Sequence, residues 1–185
     1  RYPGSMTDHP AVATPAATGD TIVETRRTSL RKLTQDDAAF ILELVNQPSF
    51  LANIGDKGVR TLADAKEFIL DGPWRRDQPD GYGQFLVELK SDRRPIGVCG
   101  LLYRERLDVS DVGCAFMPEF WRQGYALETT TAVMEYGRSV LGVDKIVGLT
   151  AEHNHASIAL LGRLGMTFER MVEMTDDDPG TPLYS

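Results

Sequence analysis

The residues best suited to chemistry fall in two short segments. In the first, Trp121-Arg122-Gln123-Gly124-Tyr125-Ala126 joins the end of a β-rich stretch to the start of a long helical pattern. A helix start leaves several main-chain N–H groups without acceptors, at the positive end of the helix dipole, so a phosphate or pyrophosphate can be held there by main chain alone. Gly124 and Ala126 are small enough to let such an anion approach closely. By itself a Gly-x-Ala at a helix start is more often a sign of tight packing than of anion binding. No Gly-Lys-Ser/Thr follows, and the three spaced glycines of a dinucleotide-binding fingerprint are missing, which argues against nucleoside triphosphates and NAD.

The second segment, Glu152-His153-Asn154-His155-Ala156-Ser157, gathers a carboxylate, an amide and a hydroxyl ahead of a short helix. His153 and His155 flank Asn154, but no acidic or histidine partner lies at helical spacing from them, so no metal site is expected.

Both segments need a scaffold. Thr34 followed by Asp37 has the form of an N-cap, and Ala38, Ile41, Leu42 and Val45 then share one stripe, predicting a helix over 34–46. Thr61 and Asp64 repeat the signal for a second helix that Asp71-Gly72-Pro73 ends, and a short strand over 29–32 precedes both. Strands follow at 84–89, 95–104 and 109–117, then a helix over 124–140, a strand over 145–150, a helix over 155–164, and strands at 166–174 and 182–184. No repeat interrupts the order β-α-α-β-β-β-α-β-α-β-β, which predicts a mixed α/β domain with a mostly antiparallel sheet of about seven strands and helices on both faces.

The length of 185 residues suits a single core. Arg1 to Ser5 precede a Met6 that reads as a natural start, and the Ala-, Pro- and Thr-rich stretch up to about Thr21 reads as a flexible tail, so 1–21 is set apart from a domain spanning 22–185. With 27 acidic and 20 basic residues the net charge is -7, which opposes non-specific binding to nucleic acid or an anionic membrane. No apolar run is long enough to span a bilayer, no secretory signal pattern is present, and Cys99 and Cys114 sit singly in strands as expected buried thiols. A cytoplasmic protein is the expectation.

The stretch Asp111-Val112-Gly113-Cys114-Ala115-Phe116-Met117-Pro118, followed by Trp121 to Ala126 and Glu128, resembles the acetyl-CoA motif of the GNAT acetyltransferases. Tryptophan first in that turn is similar to the RimJ/RimL branch. Glu152 to Ser157 and then Leu160 to Met166 resemble the family's second motif, an Asn-x-x-Ser pair ahead of Leu-Gly-Phe, with Met166 in place of the usual phenylalanine. The resemblance extends from about Thr28 to Ser185.

It implies a GNAT fold whose fourth and fifth strands, here 109–117 and 145–150, splay apart to admit the pantetheine arm of acetyl-CoA. A main-chain N–H near Phe116 or Met117 would polarise the thioester carbonyl. The turn comprising Trp121, Arg122, Gln123, Gly124, Tyr125 and Ala126 would hold the pyrophosphate, Asn154 and Ser157 would face the pantetheine and thiol, and Arg163 would reach an adenosine phosphate. Many relatives use a tyrosine of the last helix as the acid; Leu161 stands at the matching position, so Ser157 is the substitute. Asp111 and Glu152 are the candidate bases, acting through water once burial raises their pKa. Each has a purely structural reading too: Asp111 pins a strand, Glu152 caps a helix, Ser157 bonds its own backbone. Trp74, Arg75, Arg76 and Tyr82 lie in a loop that borders the acceptor cleft in relatives, and read equally as a solvated loop with aromatic anchors.

The function implied is direct acetyl transfer from acetyl-CoA to a primary amine, either a protein N-terminus, as RimJ and RimL acetylate, or a small molecule. The alternative is an acetyl-CoA-binding regulatory module with little catalysis, to which the absent tyrosine lends weight. Dimers are common in the family, so a homodimer is the assembly it suggests, although the acceptor and the oligomeric state are not readable from the chain.

Overall fold

Two central strands buried almost continuously on both faces build a sheet around which everything else is placed. The computed structural model describes residues 20–185, so the segment expected as a tail lies outside the described residues except for its last two positions. Eight strands run in the order β1-β2-β3-β4-β5-β6-β8-β7. They are β1 (Thr21–Glu24), β2 (Thr28–Arg31), β3 (Gly83–Leu89), β4 (Pro95–Arg104), β5 (Val109–Phe116), β6 (Ile146–Leu149), β7 (Phe168–Val172) and β8 (Thr181–Tyr184). All neighbours pair antiparallel except β5 and β6.

Eight strands replace the expected seven because β1 escaped the pattern. Only Val23 of its four residues is buried, so there is no alternation to read. Its turn is held from outside: Glu128 accepts hydrogen bonds from Thr25 Oγ1 and from the main-chain N–H of Arg27.

The helices are α1 (Ala38–Val45), α2 (Pro48–Asn53), α3 (Leu62–Asp71), α4 (Tyr125–Ser139) and α5 (His155–Arg163). The helix expected over 34–46 starts instead as a 3-10 turn at Gln35–Asp37 before becoming α1. Asp37 is the reason: its carboxylate takes both the Thr34 N–H and a two-pronged bond from Arg31, which tightens the first turn. Helix α2 was not expected, since Phe50 is its sole buried residue and six residues carry no readable period. Thr61 and Asp64 form the reciprocal cap of α3, and Gly72 ends it, as the sequence predicts.

Sheet parity assigns the faces. Leu86 pairs with Val98 and Arg31 with Leu86, so the even-numbered residues of β3 and β4 look toward α1 through the buried Arg31–Asp37 pair. On the opposite face Gly137 of α4 sits so close to Leu101 and Ile146 that an added Cβ would lie 2.6 Å from Leu101. Leu30, Ile41, Val87, Ile96, Val98 and Val133 are among the fully buried core residues.

Strands β5 and β6 separate where the resemblance implies. Their parallel pairing consists of Ser110 with Ile146 and Asp111 with Val147. Beyond that point β6 turns to β8, pairing Gly148 with Tyr184 and Leu149 with Leu183, while the rest of β5 keeps only β4. Gly113, Cys114 and Ala115 are therefore half-exposed in mid-sheet. This corrects the expectation of two buried thiols: Cys99 is buried, but its cross-strand partner Cys114 is not fully so. No helix among the described residues is long and apolar enough to cross a membrane.

Arg31 joins Asp37 and Glu88 in a nearly solvent-free network, and its guanidinium is raised further by Asp37. Removing one member strands a buried charge. Asp37→Ala is expected to lower the unfolding free energy by about 3–5 kcal/mol in urea titrations.

Candidate active site

The opening between β5 and β6 leads into one cavity of about 1000 Å³ that runs from the start of α4 to the region between α2 and β4. At its α4 end, Trp121 Nε1 donates to Phe116 O at 2.9 Å and pins the turn to the strand. Arg122 and Gly124 both take left-handed backbone angles, φ 59° and 84°. The main-chain N–H groups of residues 122–127 find no acceptor among the described residues; Trp121 donates to Pro118 and Glu128 to Gly124 on either side of them. Six free donors at the start of a fifteen-residue helix form an anion cradle.

The left-handed angle favours glycine at 124, and Arg27 reaches to within 3.2 Å of where a Cβ on it would stand. Arg27 lies 4.1 Å over the Tyr125 ring and pairs with Glu128 at 2.7 Å, which adds a cation beside the turn. Nothing in local sequence links residue 27 to residue 124; the pairing exists only through the sheet.

Most of the expected site residues line the cavity: Asp111, Phe116, Trp121, Arg122, Gly124, Tyr125, Ala126, Glu152, Asn154, Ser157 and Arg163. Gln123 and Met117 do not. The Gln123 side chain turns back to Glu119 O. Met117 donates its N–H to Ile96 O at 2.9 Å, so that donor faces β4. By antiparallel alternation the N–H groups of Val112, Cys114 and Phe116 then face the gap, which leaves Phe116 of the two expected donors.

At the point of separation Asp111 is almost wholly buried. Its Oδ2 accepts two bonds from Arg104, at 2.7 and 3.0 Å, and its Oδ1 accepts the Leu149 N–H at 3.2 Å. Burial raises its pKa to about 6, against the opposing pull of Arg104. Glu152 is exposed rather than buried, and the cap of α5 is Asn154 rather than Glu152. Asn154 Oδ1 accepts the Ser157 N–H, while the Ser157 hydroxyl has no partner among the described residues. Leu161 packs so tightly that a Cβ on Gly148 would meet it at 2.3 Å, so its position belongs to the core. Burial pushes the Cys114 thiol up to about 12, and Cys99 is raised as well, so neither is a nucleophile.

The loop after α3 divides as its composition suggests. Trp74 lines the cavity and packs 4.8 Å from Phe68, and Tyr82 bonds Ser110, whereas Arg76 pairs outward with Asp71 and Arg75 is exposed. Sequence reasoning missed Lys57, Gln84 and Arg104 in the cavity wall. The glycines at 55 and 58 mark a bent loop, but only the hairpin register brings Arg104 beside Asp111.

A family model for the acetyltransferase (GNAT) domain matches residues 27–167. The chain belongs to the GNAT acetyltransferase family. Among relatives of this GNAT acetyltransferase, the uncharacterized N-acetyltransferase YoaA of Bacillus subtilis is 26% identical over 162 residues, covering 87% of this chain and 91% of YoaA. The spermidine N-acetyltransferase of Vibrio cholerae, solved with CoA and spermine, superposes with a TM-score of 0.67 at 19% identity, covering 85% and 93% of the two chains. A proposed ribosomal-protein-serine acetyltransferase from Vibrio cholerae superposes with a TM-score of 0.68 at 19% identity, covering 88% and 94%.

The elevated pKa of Asp111 has a signature in stability. Its folded value lies above its unfolded one, so protonation favours the folded state: the contribution is full below about pH 4 and is lost as pH rises through about 6. Replacement Asp111→Asn is expected to remove up to about 3 kcal/mol of difference in unfolding free energy between pH 4 and 7. Parallel pH profiles for the two proteins would sink the assignment.

Proposed function

We propose that this GNAT acetyltransferase moves an acetyl group from acetyl-CoA to a primary amine by direct transfer. The observation that carries the reading is the continuity of the anion cradle with the opening between β5 and β6. The residues present fit acetyl-CoA: free main-chain donors for a pyrophosphate, unpaired strand edges for an extended arm, and one cavity large enough for both substrates. When bound it supplies an acetyl thioester open to attack by an amine.

The chain's own groups then have distinct tasks. The N–H groups of residues 122–127 hold the diphosphate, and Arg163, exposed at the end of α5, serves a peripheral phosphate. The Phe116 N–H, fixed by β4 and aimed at the gap, stabilises negative charge on a carbonyl oxygen. Asn154 sets the first turn of α5 and so the position of Ser157, whose unpaired hydroxyl donates the proton to the departing thiolate. Asp111 has all its close partners within the protein, so it holds the opening in shape, and Glu152 at the solvent rim carries away the ammonium proton.

Trp121, first in the turn and bonded to Phe116 O, supports the RimJ/RimL-like branch and with it a protein N-terminus as one acceptor class. A small amine such as the polyamine of the Vibrio spermidine enzyme is the other. The acidic net charge and free thiols support a cytoplasmic enzyme without nucleic-acid or membrane partners, and the exposed edge strand β7, with Phe168 and Met171 outward, is the surface for a homodimer. The alternative of a catalytically weak acetyl-CoA-binding module draws on Leu161, which cannot act as an acid.

Acetyl-CoA is expected to raise Tm by several degrees where ATP does not; no shift with acetyl-CoA would refute the cofactor assignment. CoA release with an amine panel separates enzyme from binder, and Ser157→Ala is expected to lower kcat about 100-fold while leaving the Tm shift intact.

A further inference from the structure

At the Asp111 end of the cavity the charges do not balance. The loop between α2 and α3 is bent by Gly55 and Gly58, with φ of 105° and 70°. Its other charges are satisfied outward: Asp56 pairs with Arg60 and accepts the Gly58 N–H. Lys57 instead turns inward, is half-buried, lines the cavity and has no carboxylate partner among the described residues. Burial and the neighbouring charge of Arg104 both lower its pKa. Arg104 directs both its bonds to one oxygen of Asp111. Lys57 and Arg104 thus stand close enough to repel each other, and Asp111, which pairs with Arg104, also accepts the Leu149 N–H and makes no ion pair with Lys57 among the described residues. Glu152, the remaining carboxylate of the cavity wall, is exposed and makes no ion pair with either cation.

Beside them lies a buried amide. Gln84 is 8% exposed and shares a row across the sheet with Gly100 and Gly113, its Nε2 lying 3.3 Å from where a Cβ on Gly113 would stand. Its Oε1 has no hydrogen-bond partner. Burying an unpaired cation and an unpaired amide oxygen is costly unless a ligand completes both. Phe50 and Trp74 supply apolar wall between them and solvent.

Building on the acetyl-transfer reading, we infer that this end of the cavity receives an amine that also carries a carboxylate, the carboxylate held by Lys57 and Arg104 and the amino group bonded to Gln84. A polycationic amine would add like charge beside Lys57, and an amine without an anionic group would leave Lys57 uncompensated. The acceptor class is therefore small amino-carboxylates.

Acceptor pairs matched except for the carboxylate test this: phenylalanine against 2-phenylethylamine, and 4-aminobutanoate against butylamine, with the full chain and CoA release as readout. The carboxylated member is expected to have at least about tenfold higher kcat/KM, chiefly through KM. Lys57→Met is expected to collapse the ratio and Lys57→Arg to retain it, with Tm confirming that both fold. Calorimetric titration of the CoA-saturated protein reads the same ratio in binding, independently of turnover. Ratios near one, preference for the carboxylate-free amines, or an unchanged ratio in Lys57→Met would each overturn the inference while leaving acetyl transfer standing. Absence of both acetyl-CoA stabilisation and turnover with any amine would instead overturn the parent reading, and this inference with it.

Discussion

The structure depends on a sheet that is made to come apart at one place and no other. Asp111 marks that place. Its backbone belongs to the last paired position of β5 with β6, and its side chain reaches forward to the Leu149 N–H, a donor that the diverging strands would otherwise leave without a carbonyl. Buried main-chain donors are expensive to abandon, so a carboxylate that substitutes for the missing strand partner stabilises the opening itself. Arg104 supplies the counter-charge without which a buried carboxylate would be too costly.

From that point the cavity extends in two directions. Toward the end of β5 the strand edge leads to a turn held by Trp121 and Phe116, where the main-chain N–H groups of residues 122–127 have no acceptor among the described residues. Toward the start of β5 Arg104 stands beside Asp111, and Lys57 lines the same cavity. Asp111 stands where the strands part, bonded to Arg104 through one oxygen and to the Leu149 N–H through the other.

The helical covering follows the same logic of paired buried charges. Arg31 is buried between Asp37 and Glu88, tying the start of α1 to β2 and β3 on the face that carries the acceptor side of the cavity. Such a network contributes less to stability than equivalent apolar packing, but it tolerates a single geometry, and it sets where α1 and the elements after it rest on the sheet.

The sequence alone determined most of the element order and the place of the turn before α4, because both are written in local terms. Capping residues at Thr61 and Asp64, the break at Gly72 and Pro73, the unbroken apolar run within Pro95–Arg104 and the glycine at 124 each act within a few residues of where they stand. The family followed from the same local marks, Asp111 to Ala126 and Glu152 to Met166. Only tertiary structure decided the rest. Strand β1 exists because Glu128 holds its turn, Arg27 reaches Gly124 across the fold, and Met117 and Gln123 turn away from the cavity on account of Ile96 and Glu119. Asp111 is bonded to Leu149, and Lys57 lines the cavity with no carboxylate partner among the described residues, because segments distant in sequence meet there. Periodicity reports which face a residue occupies, but partner and charge balance depend on which other segments reach that face, and that is a property of packing.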